Sequence, residues 1–199
     1  MKYKLFLFPI LFFFYSFSLA QETMQPEPQI SFVRENRPYQ YYVRQAELWW
    51  EEVQKDQKSE DNWYNYYRAC RSAQALANWR DDFVNDSPAL RRGADIVQMM
   101  EKQIPDTFTY FFVKGSTGGA SPAQQADLKK AYAMNPHFVG IHANIVTIAE
   151  STRDMELRQE VNEKWYLSRD LSPGLMHFGF NALQSVAPDG ILLTQHDND

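Results

Sequence analysis

Leu128-Lys129-Lys130-Ala131-Tyr132-Ala133-Met134-Asn135-Pro136 decides the fold of this 199-residue chain. It is a helix end closed by a proline, whose ring and missing N–H cannot continue the ladder. Upstream, Ser121-Pro122-Ala123 opens the same segment with serine as N-cap and proline at the first helical position, where no N–H is needed. An earlier block has the same plan: Ser87-Pro88-Ala89 leads through Ala94-Asp95-Ile96 to Pro105, as Ser121-Pro122-Ala123 leads through Ala126-Asp127-Leu128 to Pro136. A third closing proline, Pro173, follows a helical stretch from Asp154 to Leu171. The closing prolines are 31 and 37 residues apart, bracketing the roughly 34-residue period of helix-turn-helix arrays.

Outward from these blocks the pattern remains helical. Between Gln40 and Gln57, apolar residues fall at Tyr42/Val43, Ala46, Trp49/Trp50 and Val53, the three-and-four spacing of one helix face. Ser59 is the N-cap of a second helix striped by Trp63, Tyr66/Tyr67, Cys70 and Ala73. A short polar link between two such helices predicts an antiparallel pair.

The interior thus resembles a tetratricopeptide-type array running from Tyr39 to Pro173. Residues 128–136 match the usual ending of that repeat's second helix. The large position is held by Val97, Leu128 and Trp165, and the small one by Met100, Ala131 and Ser168, so Met100 departs from the pattern. The resemblance implies a mostly α protein of TPR-like antiparallel helix pairs, either a right-handed solenoid or an irregular bundle. Phe108 to Lys114, ending at Gly115, makes a short first helix for that family.

The two ends have other compositions. Lys2 and Lys4 precede an almost wholly apolar Leu5 to Phe17, and Ser18-Leu19-Ala20 places small residues before Gln21. These are the three regions of a secretory signal peptide cleaved after Ala20. A retained anchor is the rival, but the run falls short of the about 20 residues a bilayer needs, and Pro9 interrupts it. Residues 1–20 are therefore read as signal peptide and residues 21–38, with Pro26, Pro28 and Pro38, as an extended leader that a core would not need. Export implies a periplasmic or extracellular protein with no stable membrane span after cleavage. Residues 174–199 form a last unit: Leu175, Phe178, Ala182, Leu183 and Val186 line a helix, Pro188-Asp189-Gly190 makes a turn, and Ile191 to Thr194 reads as a short strand. Helix followed by apolar strand is the beginning of an incomplete α/β unit. An exposed strand edge there invites pairing with another chain.

Composition restricts function further. The formal charge is −5, and loss of Lys2 and Lys4 lowers it by two more, which argues against nucleic acid as partner. Cys70 is the one cysteine, so no internal disulfide forms, and its apolar neighbours make it a small buried hydrophobe. Lys114-Gly115-Ser116-Thr117-Gly118-Gly119 lacks the Walker order and reads as an interhelical loop. His137 and His142, five apart, fall on different faces of one helix, and His177 is remote, so no shared metal is expected. Glu51, Glu52, Glu60 and Asp61 read as solvated carboxylates on polar faces and helix ends. No nucleophile and base stand together, so the chain reads as non-enzymatic and without a cofactor. His196, Asp197 and Asp199 are weak metal candidates. The stretch from Asn181 through Ile191-Leu192-Leu193-Thr194 to Asp197-Asn198-Asp199 resembles an extracytoplasmic C-terminal segment of bacterial membrane proteins related to protein O-mannosyltransferases, with His196 in a glycine position. That resemblance implies a shared substructure and carries no transferase activity, because the membrane-embedded catalytic half of those proteins has no counterpart here.

Nine aromatic residues between Tyr39 and Tyr67 exceed what one seam between two helices buries. Tyr41, Trp50 and Tyr64 are expected to face a groove or the next repeat, as partner-binding candidates. The function expected is protein or peptide binding in the cell envelope by an exported helical-repeat protein. The alternative is the N-terminal part of a longer envelope protein, whose α/β domain binds a sugar, nucleotide or cation at Asp197-Asn198-Asp199.

Overall fold

The computed structural model describes residues 24–30, 35–117, 119 and 121–193. The expected signal peptide lies outside them. The described chain is mostly helical: α1 Tyr39–Lys55, α2 Glu60–Leu76, α3 Gly93–Gln103, α4 Phe108–Ser116, α5 Pro122–Met134, α6 His142–Thr152, α7 Met155–Ser168 and α8 Pro173–Gln184. Two short 3-10 segments, Asp81–Asn85 and Val139–Ile141, precede α3 and α6.

Three hairpins carry the most extensive helix contacts: α1 with α2, α4 with α5, and α6 with α7. Helix α3 packs on α2 and α4, α4 also touches α2, and α5 touches α6. In the first hairpin Ser59 caps α2 by accepting a hydrogen bond from the Asn62 amide. Asn62 Nδ2 and Trp63 Nε1 donate back to the carbonyls of Glu52 and Gln57, 3.1 and 3.0 Å away. The expected stripes are buried on both helices: Tyr42, Val43, Ala46, Trp49 and Val53 on one, Trp63, Tyr66, Tyr67, Cys70 and Ala73 on the other. In the second hairpin Gly115 lets α4 cross close to α5, since a Cβ there would lie 2.6 Å from Leu128 Cγ. In the third, Arg153 turns the chain in the left-handed region at φ 59°, and Asp154 caps α7 through the Leu157 amide. A single apolar core runs from Tyr42 to Val161.

Several expectations require correction. Ser87-Pro88-Ala89 does not open a helix, for α3 starts only at Gly93 and has no side-chain N-cap. The Ala89 carbonyl accepts the Tyr66 hydroxyl at 2.5 Å, Ser87 Oγ donates to Glu47, and Leu90 enters the core, which holds residues 87–92 in a turn. Pro173 follows α7 but serves as the first residue of α8, with Ser172 as N-cap. His137 precedes the 3-10 turn while His142 begins α6, so they do not share a helix. Ile191 to Leu193 are exposed and without regular structure; Thr194 lies outside the described residues.

The leader differs most from expectation. Gln29 is buried against α1 and α2, so the seam uses a segment taken to be dispensable.

Candidate functional site

The site grows from two carboxamides on otherwise apolar helix faces. Gln45 follows Tyr42 by three residues and precedes Trp49 by four, which places it on the buried stripe of α1. It is 0 % exposed. Asn65 holds the corresponding buried position on α2. Neither finds its partners inside the hairpin alone, and a buried polar group without a hydrogen bond is costly.

Gln25-Pro26-Glu27-Pro28-Gln29 supplies those partners. Gln45 Oε1 accepts from the Glu27 amide at 2.8 Å and from Gln29 Nε2 at 3.2 Å, while its Nε2 donates to the Gln25 carbonyl at 3.0 Å. Asn65 Oδ1 accepts from the Gln29 amide at 2.7 Å, and its Nδ2 donates to the Asp61 carbonyl. Trp49 Nε1 donates to the Glu27 carbonyl at 2.9 Å. The leader is therefore held largely by its main chain. An extended chain turns alternate residues to the same side, and here the amides of Glu27 and Gln29 face the helices. Pro28 between them and Pro26 before Glu27 have no amide to satisfy. Gln29 Nε2 also donates to the Glu27 carbonyl, which stiffens the segment.

Two side chains are read as well. The Gln29 carboxamide meets Gln45, and the Glu27 carboxylate accepts the Tyr41 hydroxyl at 2.9 Å. Burial, followed by the hydrogen bond and charge of Glu27, pushes the Tyr41 phenol up to about 12. The Arg37 guanidinium sits 5.6 Å from the ring centroid of Tyr41.

The three aromatic candidates are not brought together. Tyr41 holds the leader. Trp50, half-buried, lies against Tyr66 and Trp63, with ring centroids 5.1 and 6.3 Å away, and borders a 260 Å³ cleft shared with Gln54, Met99 and Lys102. Tyr64 packs on Phe112 of α4 and on Phe138 in the link between α5 and α6, at 6.2 and 5.4 Å. Gln45 and Asn65 were missed by sequence reasoning. The available signal was Gln45 itself, a polar residue at a stripe position.

The other sequence candidates have ordinary surroundings. Cys70 is buried, which pushes its thiol up to about 11. Lys114, Gly115 and Ser116, expected in an interhelical loop, instead form the last turn of α4, where Lys114 pairs with Asp127 at 3.4 Å. His142 is buried with Nε2 3.1 Å from the Pro136 carbonyl. Glu60 Oε2 accepts from the Thr109 amide in the first turn of α4. Among the described residues no three His, Cys, Asp or Glu side chains converge as a metal site, and His196, Asp197 and Asp199 lie outside them. No described helix is long and apolar enough to cross a membrane. Compared with protein-family models, curated proteins and solved structures, the chain matches none.

Proposed function

We propose that this is an exported helical-repeat protein that acts by binding a protein or peptide segment in extended form, without chemistry of its own. One observation carries that reading: the α1/α2 seam already holds an extended segment through its main chain, using Gln45, Asn65 and Trp49. Main-chain capture with side-chain selection is a recurring physical basis of peptide recognition. The hairpin order α1/α2, α4/α5, α6/α7 supports taking the array as a TPR-like right-handed solenoid, an architecture whose concave faces bind extended partners. Display of a random-peptide library against the immobilised full-length protein tests the function. Enrichment of peptides that bind in extended form is expected, and no enrichment over a helical control protein would remove the proposal. N-terminal sequencing of exported protein tests localisation, with Gln21 expected first.

A second reading draws on α8, which buries no residue and exposes Phe178, Phe180 and Leu183. An uncovered apolar face supports a chain that is the N-terminal part of a longer envelope protein, with an α/β domain and a ligand turn at Asp197-Asn198-Asp199. Calorimetry of such a longer protein, with and without Asp197→Ala/Asp199→Ala, decides it. Equal affinities for sugars, nucleotides and cations would end that reading.

A further inference from the structure

We propose that the α1/α2 seam is a recognition site for extended peptides carrying an acidic residue and, two positions on, a carboxamide, and that residues 25–29 are its built-in occupant, displaced when such a peptide binds. The inference rests on the peptide-binding reading above and names the ligand class and the control.

The ligand chemistry is written in the occupant. A segment entering the seam must offer a carbonyl at the position of Gln25, an amide and a carbonyl at Glu27, and an amide at Gln29. Any extended peptide has these, so they set the pose and leave the sequence open. Selection falls on the acid that accepts the Tyr41 hydroxyl and on the carboxamide that bridges to Gln45. A glutamate at the second position would set a carboxylate against the Gln45 Oε1 acceptor, and a leucine would leave that acceptor with one partner fewer. Proline is admitted at the two intervening positions because neither amide is used there.

Displacement follows from how the occupant is anchored. Of residues 24–30 only Gln29 is buried and Pro26 half-buried; Met24 and Ile30 are exposed. Among the described residues of the leader no large apolar side chain is buried, so the hold on residues 24–30 is a set of hydrogen bonds that water or another peptide's main chain can replace. Covalent attachment compensates by making docking intramolecular, with an effective concentration in the millimolar range for a short link. The tethered segment thus sets a threshold that a free ligand must exceed.

Fluorescence anisotropy with the full-length protein and a labelled peptide of sequence 24–30 as probe tests this. Wild type is expected to bind the probe weakly. Glu27→Ala/Gln29→Ala in the protein's own leader should raise the apparent affinity by roughly ten-fold, as the tethered competitor is weakened. Adding Gln45→Ala/Asn65→Ala should abolish that gain. A probe with alanine at its acid and carboxamide positions should bind the leader-weakened protein roughly ten-fold less tightly than the parent probe. An affinity unmoved by leader weakening, or a seam variant that keeps the probe, overturns the site. Should Gln45→Ala/Asn65→Ala unfold, as circular dichroism would reveal, the probe substitutions decide, and equal binding of the two probes overturns the recognition rule. Failure here alongside enrichment in the peptide display removes only the seam assignment, whereas absence of enrichment removes the broader reading.

Discussion

The first hairpin and the last helix carry similar sequence signals and meet different fates. Helices α1 and α2 are striped with aromatics, and every stripe finds a counterpart: α1 against α2, α2 against α3 and α4, and the two carboxamides against the leader. Helix α8 also has an apolar stripe, yet Leu183 is 66 % exposed and Phe178 58 %. Helix α7, between the two extremes, buries Val161 alone. An amphipathic pattern specifies a face that prefers to be covered; it does not specify the cover.

The sharpest test of that contrast is to truncate large apolar side chains at each end, beginning with the first hairpin. Trp63 is 1 % exposed, meets Trp50 and Tyr66 edge-to-face, and donates its indole N–H to the Gln57 carbonyl. Trp63→Ala should cost about 3–5 kcal/mol in urea unfolding, the range for emptying a large aromatic site. A loss under about 1 kcal/mol would mean that the first hairpin is packed no better than the last helix.

Gly115→Ala is expected to have the next largest effect. Alanine is the better helix former by about 1 kcal/mol. Its Cβ, however, would lie 2.6 Å from Leu128 Cγ and 3.0 Å from backbone atoms of Gln124 and Leu128. The side chain can shift but the backbone cannot do so without moving α5, so overpacking of about 1–3 kcal/mol should win. A stabilised variant in thermal melts would show that α4 and α5 are not locked at this distance.

The helices were legible wherever local chemistry decided the outcome. Ser-Pro-Ala occurs twice, and the residue after it separates the two cases. At Ser121 that residue is Gln124, whose side chain returns to the Ser121 amide and completes a capping box. At Ser87 it is Leu90, which the core takes, so the chain turns instead. Motif and spacing were equal; burial was not. The mostly helical class and the stripes of α1 and α2 followed from periodicity, and the Ser59 and Ser121 caps from residue type and position. The seam did not, because Gln45 and the leader are some twenty residues apart and a carboxamide on an apolar stripe names no partner. Polar, proline-rich composition argued that the leader was idle, whereas its alternating prolines were what suited it to a main-chain clamp.

The hold of the leader has a pH dependence of definite sign. With the leader docked, the Tyr41 phenol is raised from its usual 10 to about 12, by burial first and then through Glu27, against smaller opposing effects of Gln29 and Arg37. The protonated phenol is thus the form that favours docking. Its contribution is complete below about pH 10 and is lost as the pH rises towards 12. Trp49, bonded to the Glu27 carbonyl, is a neighbouring reporter. Its fluorescence should change across that window, and Tyr41→Phe should remove the step while leaving any contribution from Tyr39, which is also raised to about 12 by burial and Asp86. A step unchanged in Tyr41→Phe would detach the phenol from leader docking.

The smallest expected effect is at the other end. Phe178→Ala/Leu183→Ala removes two large apolar side chains, but neither is buried among the described residues, so little transfer free energy is at stake. The change in unfolding free energy should stay within about 0.5 kcal/mol, as for ordinary surface substitutions. Solubility should improve, since the exposed apolar area shrinks. A loss above about 1 kcal/mol would contradict the contrast between the two ends, and its concentration dependence would show how. If the loss grows with protein concentration, a second copy covers α8 in solution, because mass action stabilises only what associates. If it does not, the cover comes from the same chain, and α8 belongs to the core that begins at Tyr42.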